Sequence, residues 1–323
     1  MRRMTVAHAR TLRTECPLPV RCSPHSEATQ EWLSGWVRRF DLPLDPAALC
    51  RLDAAGFAWY AGRLYPDASA ADLRTIAALW TWFFLLDDAC DGPQRATGEE
   101  VAALRAGVLR VLRAGPRSRP AGFQGPLRRM LVDAWRVPRS RMPQQWQERF
   151  ADAVAHHLEG NRVEAVNKTR GYAPSIAEYV ALRRATSAAY VSYTMIEFAT
   201  GHVLPDAVYH HPALRALAAT GNDLLSWFND LVSLENDRIT SGGHNLVLAI
   251  AREQRIPVDR AVETALTRWR AGMRRFMELR ARMPSFGPEL DAAVSAHVEG
   301  IACSVRGTVD WSLESARYAV PQR

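Results

Sequence analysis

A chain of 323 residues, 48% hydrophobic and 23% charged, can bury one large core or at most two ordinary ones. Its formal charge of +7 would suit nucleic acid, an anionic surface or a phosphorylated small molecule, but the arginines are scattered along helical segments and no basic block is interleaved with aromatics, which argues against nucleic acid. Five widely spaced cysteines without a CxxC pair, no apolar run after Met1-Arg2-Arg3-Met4 and a longest apolar stretch, 76–86, too short to span a bilayer predict a cytoplasmic protein with reduced thiols and no membrane span.

Residues 1–30 are rich in Pro, Arg and Ser and show no helical period. They read as an N-terminal arm, on the surface or partly disordered, ahead of one helical domain over 31–323. From there apolar residues recur at spacings of three and four between short Gly or Pro turns, and no strand alternation or internal repeat appears. The fold class is all-α. Helices are predicted over 46–64, 70–91, 98–113, 124–136, 143–165, 176–200, 212–240, 245–254, 258–280 and 288–316. Ser69 with Asp72 and Ser175 with Glu178 supply capping chemistry; Pro143, Pro212, Pro257 and Pro288 stand at or near first helical positions.

The helix over 70–91 carries the most informative pattern. At 100° per residue Trp80, Phe83, Phe84, Asp87 and Asp91 fall within roughly 100° of arc, with Asp88 beside them, so an aromatic stripe ends in carboxylates. They crowd the negative end of the helix dipole, at a cost of ~0.3–1 kcal/mol each that bound cations would remove. On the helix over 212–240, Asn229, Ser233 and Asp237 recur every four residues and form one stripe of hard oxygen donors, the type Mg²⁺ prefers. Glu235 falls off that face. Arg183 and Arg184 precede a small, weakly helix-favouring stretch, 185–189, that could bend. Arg317-Tyr318 closes the chain's last helical pattern, with Trp311 one heptad earlier on the same face; guanidinium forks and a phenol suit phosphate oxygens. His156, His157 and His244 read as surface or cap residues, because no histidine has metal-ligand spacing.

Together these residues resemble a bacterial class I terpene synthase (terpene cyclase). Asp87-Asp88-Ala89-Cys90-Asp91 fits a DDxxD motif, and Asn229, Ser233 and Asp237 fit the second metal motif NDxxSxxxE. Arg183, 46 residues before Asn229, resembles a diphosphate-sensing arginine, and Arg317-Tyr318 a C-terminal Arg-Tyr pair. Pro17-Leu18-Pro19 with Ser23-Pro24-His25 resembles an N-terminal strand that folds over the closed site.

The resemblance implies a single-domain helical bundle around a deep apolar cavity, with Mg²⁺ (three ions, Mn²⁺ as an alternative) held by Asp87, Asp88, Asp91, Asn229, Ser233 and Asp237. Arg183, Arg317 and Tyr318 would contact the diphosphate of a polyprenyl substrate, with Asn229 at the same site. Trp80, Phe83, Phe84 and Trp311 would line the substrate cavity, and Thr186 and Ser187 would stand at the helix break where a carbonyl faces the substrate. The implied reaction is ionisation and cyclisation of farnesyl diphosphate to a sesquiterpene with release of diphosphate, with geranylgeranyl diphosphate as the alternative substrate, in a chain that could pair as a homodimer.

Two positions depart from the pattern: Asp237 stands where Glu is usual, and Asn236 where a lysine often reaches the diphosphate, leaving Arg238 as a candidate replacement. A prenyl chain-elongating enzyme would need a second DDxxD, and a class II cyclase a DxDD; neither is present. A catalytically silent prenyl diphosphate-binding protein is the alternative of another class.

Overall fold

The structure, a computed structural model, describes residues 2–91, 96–120 and 122–318; the side chains of residues 2–6, Asp91 and Tyr318 lie outside the described residues. Among the described residues every regular element is a helix: α1 (Arg2–Glu15), α2 (Ser26–Arg38), α3 (Pro46–Ala54), α4 (Phe57–Leu64), α5 (Ala70–Asp91), α6 (Gly98–Ala114), α7 (Gly125–Arg141), α8 (Gln144–Thr169), α9 (Ile176–Thr186), α10 (Ala189–Thr200), α11 (Asp206–Tyr209), α12 (Pro212–Thr240), α13 (Leu246–Gln254), α14 (Val258–Ala281) and α15 (Asp291–Glu314), followed by a 3₁₀ turn, Ala316–Tyr318. None is long and apolar enough to cross a membrane.

The expected starts hold where capping chemistry set them. The Ser69 hydroxyl accepts from the Asp72 amide at 3.1 Å, and Ser175 with Glu178 closes a full capping box on α9. Among the segments that differ from expectation, three bear on the architecture beyond the divided helix over 176–200 and the unexpected α2 and α11. The helix expected over 46–64 is two, divided where Gly56 takes φ +68, a left-handed conformation that suits glycine. The helix expected over 124–136 continues through Pro138 to Arg141.

The third is the arm. Residues 2–15 form a helix, hidden in the sequence because its apolar stripe is sparse among arginines. Ala9 and Leu12 are fully buried, and the helix packs on α12, α14 and α15. The segment that follows is pinned in place: Arg306 donates to the Cys16 and Leu18 carbonyls at 3.1 and 3.2 Å, and the Ser23 amide to the Gly62 carbonyl at 2.9 Å.

Six helices line a central cavity: α4, α5, α8, α9, α12 and α15. The others brace this ring from outside, α6 on α8, α7 on α5, α14 on α12, and α2 on α4 and α5. Stacked rings of Trp135, Trp146 and Phe150 weld α7 to α8, and the Trp146 indole donates to the Thr194 carbonyl of α10 at 2.8 Å, so the aromatics bury area while their polar handle is satisfied. The α4–α15 crossing is close because position 307 lacks a side chain; a Cβ there would stand 2.9 Å from that of Arg63.

Candidate active site

The cavity is about 760 Å³, and its lining divides by chemistry. Its apolar wall comes from α4, α5 and α15. Phe84 lies between Phe57, stacked at 4.3 Å, and Trp311 at 5.4 Å, while Tyr60 packs on Trp311 at 4.5 Å and edge-on to Trp80 at 5.7 Å. Trp80, Phe83, Phe84 and Trp311 all line the cavity. Tyr60 and Thr308 were not legible in the sequence. They lie 248 residues apart, yet their hydroxyl oxygens are 3.3 Å from each other in the wall.

The polar end of the cavity is built from helix termini. Asp87 leaves the last turns of α5, and two residues of α8 fix its carboxylate: Asn161 Nδ2 donates to Oδ1 at 3.2 Å, and His157 Nε2 stands 3.2 Å from the same oxygen. His157 is therefore no surface residue. It is 1% exposed, with Nδ1 3.3 Å from the Ala185 carbonyl, so it bridges Asp87 to the end of α9. His244, also expected at the surface or as a cap, is buried in the turn after α12, where Nδ1 meets the Ser241 carbonyl at 3.0 Å. Asp88 takes a two-pronged ion pair from Arg317, at 2.7 and 3.2 Å, and the guanidinium also covers the Phe84 ring at 4.8 Å. The expectations for Asp91 and Tyr318 fall on side chains outside the described residues.

Across the cavity α12 presents Asn229, Ser233 and Asp237 in one line. Ser233 donates to Asp237 Oδ2 at 2.6 Å and Asn245 Nδ2 to the same oxygen at 2.8 Å. Burial outweighs both bonds and pushes the Asp237 carboxyl up to about 6. Amide, hydroxyl and carboxylate are all hard oxygen donors, and a carboxylate poorly compensated where it stands is one that a cation would stabilise. The residues present therefore fit a divalent ion of the Mg²⁺ type.

Arg183 of α9 is anchored on α12. It donates to Asn229 Oδ1 at 3.0 Å and to Asp230 Oδ1 at 3.1 Å. Asp230 is 2% exposed; its other oxygen accepts the Tyr179 hydroxyl at 2.6 Å and the Leu246 amide at 3.1 Å. The sequence reading passed over Asp230, although its place beside Asn229 was a usable signal. The predicted weak stretch breaks where expected: α9 ends at Thr186, Ala188 takes φ +56, and α10 starts at Ala189. Ser187 Oγ stabilises the break by donating to Asn222 Oδ1 at 2.8 Å and accepting the Ala189 amide at 3.1 Å. Thr186, Ser187 and Ala188 line the cavity. A left-handed alanine is sterically unfavourable and persists because the surrounding bonds fix it.

Two facing, oxygen-rich helix ends over an aromatic well have counterparts among known proteins. Residues 78–275, which span both, match the family model described as terpene synthase family 2, C-terminal metal binding. The chain belongs to the terpene synthase family. It is 31% identical over 311 residues to 10-epi-cubebol synthase of Sorangium cellulosum, covering 95% of this chain and 97% of that one. It is 30% identical over 298 residues to (+)-T-muurolol synthase ((2E,6E)-farnesyl diphosphate cyclizing) of Roseiflexus castenholzii, with 92% and 90% covered. Among solved structures the SVS_A2 protein from ancestral sequence reconstruction superposes with a TM-score of 0.84 at 27% identity, over 92% of this chain and 88% of that one. Linalool/nerolidol synthase of Streptomyces clavuligerus shares the fold, with a TM-score of 0.82 at 24% identity over 92% and 99%. The protein is thus a class I terpene synthase with the family's metal-binding region, as the sequence resemblance implied.

Proposed function

We propose that this terpene synthase ionises and cyclises farnesyl diphosphate to a sesquiterpene in a Mg²⁺-dependent reaction that releases diphosphate. The observation that carries the reading is the convergence of Asp87, Asn229, Ser233, Asp237, Arg183 and Arg317 at one end of a cavity whose wall is Tyr60, Trp80, Phe83, Phe84 and Trp311. The chain length is supported by the relative whose name specifies farnesyl diphosphate cyclisation.

Asp87 and Asp88 on α5, with Asp91 in support, and Asn229, Ser233 and Asp237 on α12 would hold the ions, three of Mg²⁺ or Mn²⁺. When bound, these supply Lewis-acid neutralisation of the charge that the diphosphate gains as the allylic C–O bond breaks. Arg183 and Arg317, with Tyr318, donate to diphosphate oxygens and orient the leaving group, and the aromatic wall excludes water. Phe84 and Trp80 line the well, where a desolvated ring face turned to the substrate would stabilise a cation by ~2 kcal/mol. Thr186 and Ser187 place the interrupted backbone of α9 against the substrate. Residues 31–323 form the catalytic domain in this reading, and residues 1–30 an N-terminal arm.

The reading is tested by incubating the purified chain with Mg²⁺ and geranyl, farnesyl or geranylgeranyl diphosphate, with gas chromatography of the extract and a pyrophosphate assay. Farnesyl diphosphate should give a C15 product. Turnover of geranylgeranyl diphosphate alone would replace the substrate, and no product or pyrophosphate from any of the three would overturn the reading.

A further inference from the structure

Arginines that look scattered along the sequence gather at one corner of the fold. Residues 105–141, from the middle of α6 to the end of α7, hold ten arginines and one acid, Asp133, a net charge of +9, whereas the whole chain carries +7. The rest of the chain is therefore slightly acidic, at −2. The turn between the two helices draws the arginines together. Arg128 donates to the Pro116 and Ser118 carbonyls at 2.8 and 2.5 Å. Arg139 donates to the Leu112 carbonyl at 3.0 Å, with its guanidinium 3.0 Å from where a Cβ on Gly115 would stand. Arg113, Arg117 and Arg119 sit in or beside that same turn, and Arg110 and Arg136 follow one helical turn away on α6 and α7.

Carbonyl oxygens satisfy guanidinium donors without cancelling their charge. Among the described residues only Arg113 of these seven has a carboxylate, Asp152 at 2.7 Å, and that pair is open to water, with side chains 54% and 71% exposed. Arg110, Arg117, Arg119 and Arg136 are exposed and make no ion pair among the described residues. Like charges within a Debye length, ~8 Å at physiological ionic strength, repel one another and together attract an anionic surface.

The chemistry of the corner fits phospholipid. Its basic residues are all arginine, whose planar fork pairs with phosphate oxygens. Val137, between Arg136 and Arg139, is 37% exposed and adds an apolar contact for the headgroup boundary. The aromatics of the segment, Phe123 and Trp135, are buried, so no ring is offered to stack on a nucleic-acid base. No helix of the described residues is long and apolar enough to cross a membrane, so attachment here is peripheral. None of these residues lines the cavity, and the role of the corner is independent of the chemistry proposed there.

We propose that the α6–α7 corner is a docking surface for anionic phospholipid bilayers, holding the enzyme peripherally at a membrane face.

The test is flotation of the full chain with vesicles of phosphatidylcholine, either alone or containing about one third phosphatidylglycerol, at physiological ionic strength. Circular dichroism and Tm serve as controls for folding. Binding should appear with the anionic vesicles only and fade as salt rises. Combining Arg110→Gln, Arg117→Gln, Arg119→Gln and Arg136→Gln should lower the partition coefficient on the order of 10²–10³-fold, about fivefold for each arginine. A matched variant, combining Arg255→Gln, Arg260→Gln, Arg274→Gln and Arg275→Gln, removes the same charge from exposed positions after α13 and on α14 and should bind nearly as the unaltered chain does. No binding to anionic vesicles, equal binding to neutral ones, or an equal loss in both combined variants would overturn the assignment. Displacement of the vesicles by a duplex DNA that binds more tightly would overturn it in favour of nucleic acid.

Discussion

Asp230→Asn removes one charge at the point where Arg183 is anchored and changes almost nothing in shape. The asparagine oxygen can still accept from the Tyr179 hydroxyl and the Leu246 amide, but its NH₂ then faces Arg183 Nε, donor against donor. The guanidinium keeps its bond to Asn229 at 3.0 Å and loses its counter-charge. Stripping one partner from a buried ion pair costs about 3–5 kcal/mol. The Asp230 side chain is 3% exposed and that of Arg183 19%, so water entering from the cavity relieves part of this, which places the loss near the lower end, about 3 kcal/mol. For a chain of this length that is a fall in Tm on the order of 5 °C. Arg183→Met should also destabilise, because it strands Asp230, whose carboxyl burial already raises above its ordinary range. The double variant removes both charges and should regain a large part of the loss, measured as a coupling energy from urea unfolding of the four proteins. The reasoning fails if Asp230→Asn costs under about 1 kcal/mol, or if the two single effects simply add in the double variant.

Three further outcomes follow from named contacts. Asp87→Ala should lower kcat/KM by roughly 10³-fold or more with the helical circular dichroism intact, since it removes a proposed metal-binding carboxylate; near-normal turnover would remove Asp87 from that role. Gly160→Ala should cost about 1–3 kcal/mol, because the new Cβ would stand 2.6 Å from that of Ala185 and 3.1 Å from the Thr186 nitrogen, where backbone rather than a flexible side chain must yield; a Tm equal to that of the unaltered chain would refute the contact. His297 is 5% exposed, and burial with Arg149 nearby pulls its ring down to about 4 from an ordinary value of 6.5. Between those two values the unfolded chain binds more protons than the folded one. Stability should therefore fall by up to about 3 kcal/mol as pH drops through that window, and His297→Gln should flatten the slope. An unchanged slope in that variant would show that His297 does not titrate as inferred.

The helices were legible where local rules suffice. Spacings of three and four marked α5, α8, α12 and α14, and Ser69 and Ser175 marked starts, because both signals act within a turn or two of chain. The helix α1 escaped since only a few apolar residues of its stripe stand among arginines, and its formation depends on burial against α12 and α15. The break at Ser187 and Ala188 was half legible: small residues signalled weakness, while the side chain of Asn222, 35 residues on, fixes where the chain turns.

By itself the sequence determined the all-α fold, the two oxygen-donor stripes at helix ends, and the order of arginines that points to a terpene synthase. All of these are periodic or positional within single helices. Only the tertiary structure decided who faces whom. It set Asp230 and Tyr179 behind Arg183, put His157 and Asn161 on Asp87, and turned Lys168 rather than Arg238 toward the cavity. It also paired Tyr60 with Thr308. Such contacts join helices tens to hundreds of residues apart, and no local period encodes them, because which face of a helix meets which neighbour is settled by the packing of the whole bundle.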